Sequence, residues 1–192
     1  MSQTALLLPT KFSPEFAIST IPRHSPGPGE LLIKVHAVAL NPLDWKVQAY
    51  GIFYEDYPLV LGNDVAGEVV GLGEGVDANK WRVGERVICP SEGKPQRYGG
   101  FQEYMCYPED IVARIPSTLS YLSACTIPLG FSTAAVGLLA PSPIGAGLSP
   151  DLDMTSVRGT RNAALVIGGS TSVGQFAIQL LSRLAFPIII IY

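Results

Sequence analysis

The chain has 192 residues, 47% hydrophobic and 15% charged, with a formal net charge of −3. That balance excludes a disordered polypeptide and describes one able to bury a core. No block of basic residues marks a nucleic-acid footprint, so no nucleic-acid partner is expected.

The chain opens with short strands, Thr4 to Leu8 and Phe16 to Ile21. Ser25 to Glu30 reads Ser-Pro-Gly-Pro-Gly-Glu and is expected to turn. Leu31, Ile33, Val35 and Ala37 then alternate with Leu32, Lys34, His36 and Val38, which predicts a strand with one wetter face carrying His36. Asn41-Pro42-Leu43-Asp44-Trp45-Lys46 breaks that strand and starts a short helix, with Asn41 suited to cap it and Pro42 to its first position. Three more strands are expected at Asp64 to Gly71, Gly84 to Ile88 and Phe101 to Cys106. Many short strands, with 20 Gly and 16 Pro in the chain, suggest a partly closed β-barrel.

After Pro116 the character changes. Ser120 to Ala140 predicts buried helices interrupted at Pro128, and Pro141 to Arg161 a loop or linker. Residues 163 to 181 then follow the order strand, small-residue turn, amphipathic helix. A turn of this kind lets the backbone approach a ligand, and the helix N-terminus favours an anion such as a pyrophosphate. Gly168-x-x-Thr171-x-x-Gly174 departs from G-x-G-x-x-G, with Thr where a central Gly is usual, so an ordinary strand-to-helix turn explains these residues equally well. Ile188 to Ile191 is a continuous apolar run expected to be a fully buried parallel strand. One strand–helix–strand unit is only part of a nucleotide-binding sheet, so the sequence is expected to be truncated within a domain that needs on the order of 100 more residues.

The three cysteines, Cys89, Cys106 and Cys125, are odd in number and widely spaced, which fits free thiols in a reducing, cytoplasmic setting. No signal peptide is apparent. No uninterrupted apolar stretch reaches the length of a membrane span, so no membrane partner is expected.

Several stretches together resemble the medium-chain dehydrogenase/reductase superfamily. They are Ala39 to Lys46, Pro58 to Val69, Val83 to Val87, Tyr98 to Tyr104 and Gly168 to Gly174. Within it, Gly-Gly-Ser-Thr-Ser-Val-Gly and Asn-Pro-Leu-Asp-Trp-Lys are similar to the zinc-free quinone-oxidoreductase-like proteins and the fungal trans-acting enoyl reductases of polyketide pathways. The resemblance implies an N-terminal GroES-like, partly open β-barrel followed by the incomplete start of an α/β Rossmann domain. It divides the chain into a GroES-like catalytic domain (1–118), a helical crossover and linker (119–162) and the first β-α-β unit of an NADP-binding domain (163–192).

The resemblance also implies a site. Gly169, Ser170, Thr171, Ser172, Val173 and Gly174 would hold NADPH, and the hydroxyls of Thr171, Ser170 and Ser172 could donate to phosphate. Leu43, Asp44, Trp45 and Lys46 would border the nicotinamide. Lys46 is either a cofactor ligand, a proton donor or a solvated helix lysine; Asp44 either braces its turn or takes part in chemistry. Thr133, Ala134, Ala135 and Leu138 would contact substrate, with Thr133 either donating to a carbonyl or bonded to its own helix. Zinc-dependent members carry Cys and a His-Glu pair where this chain has Asn41 and Asn63-Asp64, so no metal is expected. The expected activity is NADPH-dependent hydride transfer to an α,β-unsaturated carbonyl or quinone, with a small-molecule substrate, free or carried by a polyketide synthase. The alternatives are a zinc-type alcohol dehydrogenase, which the missing ligands argue against, and an inactive truncated fragment acting at most as a binding module.

Overall fold

A computed structural model describes residues 1–90, 96–149 and 162–192. It divides into two compact units, Met1–Pro128 and Leu129–Tyr192.

Among its described residues the first unit has eight strands: β1 (Ser2–Leu8), β2 (Ala17–Pro22), β3 (Glu30–Ala39), β4 (Leu59–Val60), β5 (Asp64–Leu72), β6 (Arg86–Pro90), β7 (Tyr104–Pro108) and β8 (Ala113–Arg114). They form two antiparallel sheets, ordered β2-β1-β4 and β7-β3-β5-β6-β8. The sheets are tied where Leu6 N donates to Phe101 O at 2.8 Å and Ala5 bridges Gln102. The expected antiparallel β domain is present. Its main core gathers Leu31, Ile33, Val65, Val69, Val87, Met105 and Tyr107 around the buried Trp81. Helix α1 (Pro42–Tyr50) sits over a second cluster of Leu8, Val47, Leu59 and Leu61. Helix α2 (Tyr121–Ala124) closes the third, with Ala37, Ala66, Ile115 and Cys125.

Two local expectations are corrected and a third is extended. The alternation along β3 fails at its start, where Leu31, Leu32 and Ile33 are all buried, because register shifts at Leu32/Ile33 and Val35/Ala37 interrupt the period of two. The strand expected at Phe101–Cys106 begins only at Tyr104. Residues before it serve β1 instead: the buried Gln102 accepts from Gln3 Nε2 at 2.8 Å and donates to Gly99 O at 2.7 Å. His36 is exposed as expected, but its ring stacks on Tyr121 with centroids 4.4 Å apart, and Arg86 covers Tyr121 at 4.5 Å.

The second unit contains α3 (Pro128–Leu139), β9 (Ala164–Ile167), α4 (Ser172–Arg183) and β10 (Ile188–Ile191). Strands β9 and β10 pair in parallel with Ile189 opposite Leu165 and Ile191 opposite Ile167. Ala134, Leu139, Leu180 and Leu184 form its core. The expectation that Ile188–Ile191 is fully buried is corrected. Leu165, Ile167, Ile189 and Ile191 share one face of the two-stranded sheet and are 56%, 76%, 57% and 47% exposed. Helix α4 covers the opposite face, where Val166 is buried. Residues 141–149 turn back on α3, with Ala146 N donating to Gly137 O at 2.9 Å; the rest of the expected linker, 150–161, lies outside the described residues.

The expectation about membrane-span length also needs correction. Tyr121–Leu139 is long and apolar enough to cross a membrane by length and composition. It is divided into α2 and α3 by a turn at residues 125–127, and the expectation of buried helices is corrected in part, since Leu122, Phe131 and Val136 are exposed.

Candidate cofactor and substrate site

The expected site residues fall in both units: Leu43–Lys46 in the first, Thr133–Leu138 and Gly169–Gly174 in the second.

In the first unit, Asn41 occupies the N-cap position of α1 and Pro42 its first turn. Asp44 accepts a hydrogen bond from Asn41 N at 2.8 Å, the returning half of a capping box. The side-chain amide nitrogen of Asn41 points elsewhere. It donates to Asp64 Oδ2 at 2.9 Å. Asn63 returns the arrangement, its Nδ2 donating to Asp44 Oδ1 at 3.0 Å, with Gly62 N at 3.3 Å from the same oxygen. Two Asn–Asp pairs therefore cross-link the start of α1 to the start of β5. Asp44, Asn63 and Asp64 are all buried. Burial pushes the Asp44 carboxyl above its ordinary range, opposed by the donors from Asn41, Gly62 and Asn63.

Asn41, Asn63 and Asp64 stand where the zinc-dependent relatives of the resembled family keep ligands. Amide nitrogens are not zinc ligands, and both carboxylates are engaged by donors. Among the described residues, no group of three His, Cys, Asp or Glu side chains is arranged to hold a metal ion.

Asp44 is thus enclosed, while Trp45 and Lys46 face solvent. Trp45 is 50% exposed and contacts the Tyr50 ring at 5.7 Å, and Lys46 Nζ lies 5.8 Å from the Trp45 ring centroid. Leu43 is half-buried against the Leu8–Val47 cluster.

In the second unit, Gly168 takes φ +80°, in the left-handed region that favours glycine. A Cβ on Gly174 would lie 2.2 Å from Gly168 O, so only glycine lets α4 approach the turn this closely. Thr171 is the N-cap of α4. Its hydroxyl accepts from Gly174 N at 3.0 Å and donates to Gly168 O at 2.8 Å. The expected donation from Thr171 to a phosphate is corrected: its proton is engaged inside the turn. Ser170, Ser172 and Val173 are exposed at the helix start. The N–H groups of Ser172 and Val173, at the first two helical positions, have no acceptor within the helix. Free N–H groups at a helix start favour an anion.

Thr133 Oγ1 donates to Leu129 O at 2.7 Å, so its hydroxyl is bonded to its own helix. Ala134 is buried in the core between α3 and α4, and Ala135 and Leu138 pack against it. Phe131 meets Phe176 edge-on at 5.9 Å across the same pair of helices.

Sequence reasoning missed the role of Asn63 in holding Asp44. The residue types were in view, but a pairing across 19 positions has no local signature. The Thr171 cap did have a signal, a Thr immediately before a helical run.

Residues 27–117 match the alcohol dehydrogenase GroES-like domain. The chain belongs to the medium-chain dehydrogenase/reductase superfamily. As a superfamily member it is 40% identical to the Dehydrogenase pigH of Monascus ruber, over 90% of this chain and 47% of that protein. It is 39% identical to the Trans-enoyl reductase himH of Aspergillus japonicus, over 79% of this chain and 43% of that protein. Among solved structures, a mycobacterial protein complexed with NADPH superposes with TM-score 0.75 at 25% identity, covering 97% of this chain and 52% of that one. The chain spans about half the length of the curated relatives it matches.

Proposed function

We propose that the chain carries the GroES-like part and the first nucleotide-binding elements of an NADPH-dependent, zinc-independent reductase acting on an α,β-unsaturated carbonyl or a quinone. The observation that carries this reading is the turn from Gly168 to Gly174, closed by Thr171 and opening onto the N-terminus of α4. The NADPH complex of the mycobacterial neighbour and the names of the fungal relatives support it. Gly169, Ser170, Ser172, Val173 and Gly174 hold the diphosphate, the amides and hydroxyls donating and the glycines allowing close approach.

NADPH, when bound, supplies the hydride. Leu43, Trp45 and Lys46 border its nicotinamide. Reduction of an enone adds hydride at the β-carbon and a proton at the α-carbon, and the enolate oxygen formed between needs a donor. Lys46 fills both needs, since its ammonium is exposed and carries three protons. Thr133 donates to that oxygen only by turning away from Leu129 O. Ala134 is enclosed in the core between α3 and α4, so its expected contact with substrate is corrected to a packing role. The substrate is a small enone, free or carried by a polyketide synthase. The division into residues 1–118, 119–162 and 163–192 belongs to this reading, as does a reducing, cytoplasmic location, which suits three buried, free thiols.

Calorimetric titration of the 192-residue chain with NADPH and NADH tests the reading directly. Tighter binding of NADPH, weakened about tenfold by Lys46→Ala, is the expected result; the weakening amounts to about 1.4 kcal/mol. No binding of either nucleotide would leave the chain a non-catalytic module.

A further inference from the structure

Helix α1 has nine residues, and only Asp44 and Val47 are buried. They stand three apart and so share one helix face. A helix this short does not hold its own conformation in water, so its orientation comes from what it touches. Val47 anchors the middle by packing among Leu8, Leu59 and Leu61. Gln48 anchors the far half, its Nε2 donating to Pro14 O at 2.9 Å. The first turn, which carries Trp45 and Lys46, is held by Asp44, with Leu43 adding a half-buried contact.

The partners of Asp44 are tied to the larger sheet. Gly62 and Asn63 lead directly into β5, which lies between β3 and β6 in the larger sheet. Asn41 follows the end of β3 by two residues and is pinned in turn to Asp64. All three partners of Asp44 are N–H donors. A carboxylate answers them because it only accepts; an asparagine of the same shape would turn an NH₂ toward one of them.

We propose that Asp44 is a positioning residue: its enclosed carboxylate fixes the rotation of the first turn of α1, and so sets where Trp45 and Lys46 face, without itself touching cofactor or substrate. The inference rests on the reading of Trp45 and Lys46 as site residues.

The chain contains two tryptophans, Trp45 beside Asp44 and Trp81 in the main core. Protein labelled with 5-fluorotryptophan therefore gives two fluorine resonances, assigned with Trp45→Phe. In Asp44→Asn the Trp45 line is expected to shift and sharpen while the Trp81 line stays in place. General loss of structure would move both. The exchanged pair Asp44→Asn/Asn63→Asp restores one donor and one acceptor across the same gap, and is expected to return the Trp45 line toward its original position. NADPH affinity should fall about tenfold in the single variant and recover in the exchanged pair. A Trp45 line unmoved in folded Asp44→Asn overturns the proposal. If both lines move, the exchanged pair decides: return of the Trp45 line supports the proposal, and failure to return overturns it. If wild-type protein binds no NADPH while the Trp45 line responds as described, the cofactor reading fails and the positioning role stands.

Discussion

Arg97 Nε donates to both carboxylate oxygens of Glu30, at 3.0 and 3.1 Å, joining the start of β3 to the short 3-10 helix Gln96–Tyr98, 67 positions away. Gly27 N and Tyr98 Oη donate to the same carboxylate, each at 2.7 Å. The hydrogen bonds from Arg97, then those from Gly27 and Tyr98, hold the Glu30 carboxyl down at about 2 against the opposing effect of burial. A carboxyl depressed by folding stabilises the native state fully above its unfolded value, about 4.3, and loses that contribution as pH falls toward 2. Glu30→Gln is expected to cost about 1.5–3 kcal/mol at pH 7, the range for a hydrogen bond to a charged group. The difference from wild type should shrink as the pH is lowered from 5 to 2. Urea midpoints across that range check it, and a pH-independent difference would contradict it.

The turn before α4 gives a paired prediction. Gly174→Ala places a methyl 2.2 Å from Gly168 O, a backbone atom that cannot step aside. The helix must back away from the turn, at a cost of about 1–3 kcal/mol. Thr171→Ala removes the cap and costs about 1 kcal/mol, whereas Thr171→Ser keeps an oxygen for Gly174 N and costs little. Hydrogen exchange of the α4 amides separates the three variants. Equal protection in Thr171→Ala and Thr171→Ser would deny the hydroxyl its capping role.

How much of this could be read from the sequence depends on the range of the interaction. The apolar, β-branched run from Leu31 to Val38 marked β3 even though its alternation fails at the start, and Pro42 marked the start of α1 because it has no N–H to lose there. The two-residue strands Leu59–Val60 and Ala113–Arg114 left no pattern, since each exists only by pairing with β1 or β6. The site divides the same way. The glycine turn was legible as a local run. That Asn41 reaches Asp64 and Asn63 reaches Asp44 follows from sheet register, which no local pattern carries.

The crossed Asn–Asp pairs lead to a prediction about metal. Purified protein should contain well under one zinc per chain, and a chelator should leave its thermal midpoint unchanged, because amide nitrogens face the carboxylates at the ligand positions. About one zinc per chain by elemental analysis, removed together with stability, would show that these side chains rearrange to bind it.

The last prediction concerns the sheet of the second unit. Leu165, Ile167, Ile189 and Ile191 form a two-by-two apolar array on one face. Each keeps about half or more of its surface in water, whereas full burial of such a side chain is worth about 1.5–3 kcal/mol. Apolar surface gathered into one patch attracts apolar dyes and lowers solubility, while scattered apolar residues do neither. Wild-type protein is therefore expected to enhance the fluorescence of anilinonaphthalene sulfonate. Ile167→Thr/Ile189→Thr should reduce that signal severalfold and raise the solubility limit. Threonine keeps the β-branched shape that suits a strand, so β9 and β10 stay paired. The replaced side chains point away from α4, so its packing is untouched and far-UV circular dichroism should not change. Dye binding equal to wild type in a folded double variant would place the responsible surface elsewhere.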